Sequence, residues 1–207
     1  MREANSILPE KMNSNYSDLR IIRALGIQAI PRRAPVIKSV NWTPPPPGWI
    51  KVNTDGSSLG APGPSGCGGI FRTYRGFVKG CFSVALDDGF AFEAELHAFI
   101  IAIEKAVEFN WNNLWIESDS TMVINAFMKK TVSIPWKIRN RWLNALKLSN
   151  TFNLKVSHIY REGNMVADKL ATYSHIAGGQ YWWFTHPDFI ADLVARDYCQ
   201  LPFYRFK

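Results

Sequence analysis

Hydrophobic and polar positions alternate through "WIKVNTD", with Ile50, Val52 and Thr54 on one face, which predicts a half-buried strand beginning near Trp49. "GGIFRTY" and "FVKGCFSVAL" are two further β-rich runs separated by Arg75-Gly76, the pattern of an antiparallel hairpin. The period then changes. In "FEAELHAFIIAIEKAVEFN", Phe92, Leu96, Phe99, Ile100, Ile103 and Val107 recur at three and four, the apolar stripe of a long helix. "NLWIESD" reads as a short buried strand, and "STMVINAFMKK" as a helix opened by a serine cap. "IPWKIRNRWLNALKLSN" is another amphipathic helix, "FNLKVSHIY" a last strand, and "NMVADKLATYSH" a closing helix. The order βββαβααβα predicts an α/β fold: a mixed sheet with an antiparallel hairpin to one side and helices over its faces.

The two ends break this pattern. Residues 1–46 read as an arm or linker: a short amphipathic helix in "NSNYSDLRIIRAL", then a basic and finally proline-rich stretch, "IPRRAPVIKSVNWTPPPPGW". Four consecutive prolines impose an extended backbone without donors, as a rigid spacer or as a ligand for a proline-binding module. The folded body is expected over 47–177. Residues 178–207 are too aromatic for a free tail and read as an extension docked on the body. A short helix is expected around Pro187–Arg196, with Trp182 and Trp183 either as anchors or as a base-stacking surface.

Composition adds a few bounds. A chain of 207 residues with 47% hydrophobic content suits one domain with a real core. A net charge of +7 favours a polyanionic partner. The odd set Cys67, Cys81 and Cys199 has no zinc or redox spacing and reads as inert thiols. The N-terminus lacks a signal-peptide apolar region, and no run is long enough to span a bilayer, so a soluble, intracellular monomer with no membrane partner is expected. "PRRAP" is basic but falls short of a nuclear signal, leaving nucleus and cytoplasm both open.

The glycine- and proline-rich "DGSSLGAPGPSGCGG" invites comparison with phosphate-binding loops. A P-loop needs Gly-Lys-Ser/Thr opening a helix, and a dinucleotide fingerprint needs G-x-G-x-x-G opening one; here the run leads into another strand and contains no lysine. The carboxylates are more informative. Asp55 ends the first strand, Glu95 lies near the start of the long helix, Asp119 follows a buried strand, and Asp168 sits in the first turn of the last helix. Singly each has an ordinary role as a turn, dipole-stabilising or capping residue. Together they occupy strand ends and helix starts that can meet at one mouth of a sheet. Four carboxylates sharing a small pocket repel one another unless cations join them, and hard oxygen ligands suit Mg²⁺ or Mn²⁺. Two such ions can activate a water and stabilise the leaving oxygen of a phosphodiester. His158, at a strand end ahead of Asp168, is placed to shuttle a proton near neutral pH, or simply faces solvent.

These residues resemble the type 1 ribonuclease H family. "DGSSLGAPGPSGCGGIFR" is similar to its first strand and turn, "EAELHA" to its helix-borne Glu, "ESDS" to its second Asp, and "H…EGN…AD.LA" to its His loop and final Asp, over about Trp49 to Tyr173. The "PPPPGWIKVNTDG" lead-in and the Trp-rich tail resemble domains of plant non-LTR retroelements and their stand-alone relatives. The resemblance implies a mixed five-stranded sheet, three antiparallel strands then two parallel. It also implies an endonuclease that cuts the RNA strand of RNA/DNA hybrids with two Mg²⁺ ions. Asp55, Glu95, Asp119 and Asp168 would be metal ligands and His158 the auxiliary proton carrier. Ser57, Ser58 and Thr121, with Lys129, Lys130, Lys137, Arg139 and Arg141, are the candidate nucleic-acid contacts, the basic ones substituting for a missing basic handle. Two departures stand out: "AFEA" ahead of Glu95 and Ala61 in the turn replace asparagines that bond the RNA 2′-OH and neighbouring bases in family members. They favour, as the other reading, a retroelement-derived module that binds nucleic acid and cleaves poorly, or a remnant of such an element.

Overall fold

The computed structural model describes residues 15–26, 35–129 and 133–206. Among them no helix is long and apolar enough to cross a membrane. Two compact units emerge, one of Met1–Lys38 with the last two residues, the other Ser39–Arg205. In the first, helix α1 (Tyr16–Ala24) is capped by the Asn15 side chain, which accepts from the Ser17 N–H at 3.1 Å.

The larger unit is built on a sheet ordered β6-β5-β2-β3-β4-β7. β2 (Ile50–Ser58), β3 (Gly63–Arg72) and β4 (Val78–Gly89) are antiparallel, while β5 (Asn113–Ser118) and β6 (Asn153–His158) add in parallel to β2. Helix α2 (Ala91–Glu108), with α3 (Thr121–Lys129) and α4 (Trp136–Leu148), covers one face, and α5 (Met165–Ala177) the other. Leu96, Phe99, Ile100 and Ile103 of the apolar stripe of α2 are buried and its ends, Phe92 and Val107, half-buried, with Phe99 packed on Trp142 of α4 at 5.5 Å between ring centres. Its first turn is closed by Glu93, which accepts from the Phe90 N–H at 3.2 Å.

The five expected strands are therefore present in the expected arrangement, and a sixth joins them. β7 (Gln180–Trp183) pairs antiparallel with Cys81–Val84 of β4. Four residues with a consecutive aromatic run carry no alternation, so nothing in the sequence marked a strand there. Gly80 leaves the space that the Trp182 ring fills, and that ring also packs on Phe71 and Phe109. Beyond it, α6 (Ala191–Tyr198) follows a short 3₁₀ turn at Asp188–Ile190, where the sequence predicts a helix. β1 (Ile37–Val40) and β8 (Phe203–Phe206) form a separate two-stranded sheet.

The glycine-rich run is less loop and more strand than its composition suggests. β2 continues to Ser58 and β3 already begins at Gly63. The glycines serve close helix-on-strand contacts: a Cβ at Gly56 would collide with the backbone of Ala94 and Glu95, and one at Gly68 with that of Leu170 and Ala171. The run lets α2 and α5 approach the sheet beside Asp55, which is where both deliver their carboxylates.

Candidate active site

Asp55 lies on β2, flanked on the sheet by Gly68 of β3, and faces the α5 side, since the alternate residues Val52 and Thr54 turn toward α2. Gly56 admits the start of α2, which brings in Glu95. β5 runs parallel to β2 and stops at Ser118, so Asp119 emerges at the same end of the sheet. One oxygen from each of Asp55, Glu95 and Asp119 lies within 4.8 Å of the others. Asp55 also accepts from the Gly56 N–H at 2.9 Å.

The electrostatics follow from this crowding. Burial, then the charge of Asp119, pushes the Asp55 carboxyl up to about 8. Burial and the Asp55 charge raise Glu95 well above the ordinary carboxylate range. Asp119 is also raised by burial, against the opposing pull of the Arg161 charge and the Asn164 amide. The Glu95 Oε2 atom is buried and has no hydrogen-bond partner. An orphaned carboxylate oxygen beside two more, all held toward protonation, is a hard-oxygen donor set lacking its positive charge; these residues fit a divalent cation of the Mg²⁺ or Mn²⁺ type.

Asp168 stands outside the group of three. It lies in the first turn of α5, and its Oδ1 accepts from Arg161 at 2.9 Å. Its charge still raises both Asp55 and Asp119, so it belongs to the same electrostatic site. His158 ends β6, exposed, with Nε2 3.2 Å from the carbonyl oxygen of Asp119 and its ring edge-on to Tyr160.

The candidate nucleic-acid residues divide into bound and open groups. Ser57 Oγ lies 3.0 Å from His175 Nε2 of α5, and Ser58 Oγ lies 2.8 Å from the carbonyls of both Gly60 and Gly89, tying the turn to the end of β4. Arg141 is forked onto Glu104 at 2.6 and 2.9 Å and lies 3.3 Å from His97 Nδ1. Thr121, Lys129, Lys137 and Arg139 are exposed around the ends of α3 and α4. Lys130 lies outside the described residues.

Two asparagines absent from the sequence expectations stand behind the carboxylates. Asn164, 1% exposed, donates through Nδ2 to Asp119 Oδ1 at 3.3 Å and to the Thr54 carbonyl at 3.0 Å. Asn53, also 1% exposed, donates to Asn164 Oδ1 at 3.2 Å and to Glu117 Oε2 at 3.1 Å. The "EGN" triplet was the one sign of Asn164; Asn53 sits two residues before Asp55 on the same strand face, and that spacing was its only signal.

Comparison with known proteins agrees with this picture. The family described as "Reverse transcriptase-like" matches residues 53–174. A protein of Arabidopsis thaliana named "Putative ribonuclease H protein" is 32% identical over 165 residues, covering 78% of this chain and 26% of that one, so the chain spans about a quarter of that relative's length. Among solved structures, ribonuclease H1 of the halophilic archaeon Halobacterium salinarum superposes with a TM-score of 0.58 at 24% identity, covering 62% of this chain and 98% of its own. LC11 ribonuclease H1, solved in complex with an RNA/DNA hybrid, gives 0.54 at 23% identity, over 60% and 94% of the two chains. With ribonuclease H structures sharing its sheet and helices, and that family's match spanning most of its sheet, this chain belongs to the reverse transcriptase-like family and has the ribonuclease H fold.

Proposed function

We propose that this protein is a metal-dependent endonuclease that hydrolyses the RNA strand of RNA/DNA hybrids. The observation that carries the reading is the meeting of buried Asp55 with half-buried Glu95 and Asp119, with Glu95 Oε2 unpartnered, at one end of a ribonuclease H sheet. The naming of the Arabidopsis relative and the hybrid bound to LC11 ribonuclease H1 support the choice of substrate. Asp55, Glu95 and Asp119 would hold Mg²⁺, as a pair of ions if Asp168 completes the set, with Mn²⁺ as a substitute. Bound there, the metal supplies an activated water and charge stabilisation for the leaving oxygen of the phosphodiester.

The chain's own groups have definable tasks. Asn164 donates to Asp119 Oδ1 and so fixes which lone pairs of that carboxylate face the cluster. His158, exposed beside Asp119, can carry a proton between the site and water. Arg161 holds Asp168 at the rim and screens one negative charge from an incoming phosphate. Lys129, Lys137 and Arg139 offer exposed cations to the hybrid backbone.

Cleavage of a labelled RNA/DNA hybrid in Mg²⁺ tests the proposal against an Asp119→Asn control. Loss of outer-shell partners alone costs about 10–100-fold in such sites, so removing a ligand is expected to cost at least about 100-fold. Equal, metal-independent activity of both proteins would overturn it. A second reading, binding without efficient turnover, is favoured by Ala61 and by "AFEA" ahead of Glu95, which carry no asparagine where a 2′-OH contact is expected. It predicts salt-sensitive hybrid binding with no Mg²⁺-dependent product.

A further inference from the structure

Beside the apolar cluster of Ile70, Cys81 and Leu170, the face of the sheet that carries Asp55 buries a group of polar side chains. Lys51 and Asn53 of β2, Arg72 of β3 and Glu117 of β5 are all no more than 5% exposed. They are covered from outside the family-matched segment, by Trp42 ahead of it and Asp197 of α6 after it, at 3% and 4% exposure. Arg72 stacks on the Trp42 ring at 3.9 Å and pairs with Asp197 at 2.6 Å, and Lys51 pairs with Glu117 at 2.7 Å.

The chemistry of these partners fixes the direction of every hydrogen bond among them. Asn53 Oδ1 receives the Trp42 indole N–H at 2.9 Å and the Arg72 Nη2 at 2.7 Å. Indole and guanidinium only donate, so the carbonyl of Asn53 must face them and its NH₂ must face the other way. There it meets Glu117 Oε2, which only accepts, and Asn164 Oδ1. Asn164 is thereby held with its oxygen toward Asn53 and its NH₂ toward Asp119. A flipped Asn164 would set a carbonyl oxygen against the Asp119 carboxylate. The loop bearing Asn164 is braced from the same side: a Cβ at Gly163 would lie 2.8 Å from Val40 and from Ile159.

We propose that Trp42, Arg72 and Asp197 are positioning residues for Asp119, acting through Asn53 and Asn164, so that the segments flanking the family core form part of the catalytic unit. A buried ion pair contributes little net stability compared with apolar packing of the same volume. What Arg72 and Asp197 supply is a fixed donor that sets the orientation of two amides in series. The role assigned to Asp119 rests on the nuclease reading above; the amide relay itself does not.

The test uses the full chain with Trp42→Phe, which leaves an aromatic ring but removes the indole N–H together with the five-membered ring, and with the paired replacement Arg72→Met/Asp197→Leu, which exchanges the ion pair for apolar bulk. Asparagine side-chain amides are followed by selective ¹⁵N labelling in the metal-free protein, alongside Mn²⁺ affinity, kcat and KM. In both variants the Asn53 and Asn164 amide signals are expected to move; the melting temperature should change little in the paired variant and fall in Trp42→Phe, where the smaller ring leaves a cavity. Mn²⁺ affinity and kcat should fall about 10-fold, the low end for outer-shell partners, with KM for the hybrid unchanged. Unmoved Asn164 signals and unchanged Mn²⁺ affinity in Trp42→Phe overturn the relay, even where the paired variant fails to fold. Signals that move in a protein that neither binds Mn²⁺ nor cleaves hybrid would support the relay and reject the nuclease reading instead.

Discussion

Asp119 shows how one side chain is placed against its own stability. Its charge raises Asp55 and Glu95, and its own ionisation is disfavoured by burial. Asp119→Asn keeps an acceptor for the Asn164 amide and removes a charge, so the metal-free variant should be more stable by about 1 kcal/mol, or about 2–4 °C for a domain of this size, while losing metal-dependent cleavage. Thermal melts in a chelator check this. The shift of Asp55 to about 8 also fixes a pH dependence. Its folded-state proton is retained where the unfolded chain has already lost it, so stability falls as pH rises from about 4 to about 8 and levels above that. Melting temperature of the metal-free protein should decline across this window, and saturating Mg²⁺ should offset the decline by binding the ionised cluster. At this scale the three clustered carboxylates were legible in the sequence because each lies near a strand end or a helix start, although β2 runs on past Asp55 to Ser58. The two asparagines left only the "EGN" triplet and the spacing of Asn53 from Asp55, neither of which points to one amide orienting another.

Among the elements, β2 was legible as a strand but only half legible as an environment. Alternation in "WIKVNTD" predicts one buried and one wet face, yet Lys51 and Asn53 are as buried as Val52. The cover comes from Trp42 and α6, more than a hundred residues apart in the chain, and no local pattern records that. The glycine run misleads in the opposite sense: low β-propensity suggested a loop, whereas the residues extend β2 and β3 because helices crossing at Gly56 and Gly68 leave no room for a Cβ. Gly56→Ala should therefore push α2 away from β2, costing about 1–3 kcal/mol, and should lower cleavage more than Gly68→Ala, since Glu95 moves with the helix. Urea unfolding and hybrid cleavage on both variants distinguish the two effects. β7 was invisible for a related reason: Trp182 is held by the cavity above Gly80 and by Phe71 and Phe109, all distant in sequence.

For the molecule as a whole, the net charge of +7 is a property any partner meets first. The structure commits several cations internally: Lys51 to Glu117, Arg72 to Asp197, Arg141 to Glu104 and Arg161 to Asp168. Lys129, Lys137 and Arg139 are exposed, and composition alone did not separate them from the committed ones. If they meet the hybrid backbone, replacing all three by Ala should lower the slope of log affinity against log salt by about 2–3, with little change in kcat. Fluorescence anisotropy of a labelled hybrid over a salt series measures this.

The account turns on one physical statement: the clustered carboxylate oxygens of Asp55, Glu95 and Asp119 are a cation site. Titration of the metal-free protein with Mn²⁺ near pH 7, counting bound ion by electron paramagnetic resonance and released protons by a pH-stat, addresses it directly. Saturable uptake with net proton release, both lost in Asp55→Asn, is the predicted result. Absence of uptake, or uptake indifferent to Asp55 and without proton release, would contradict it.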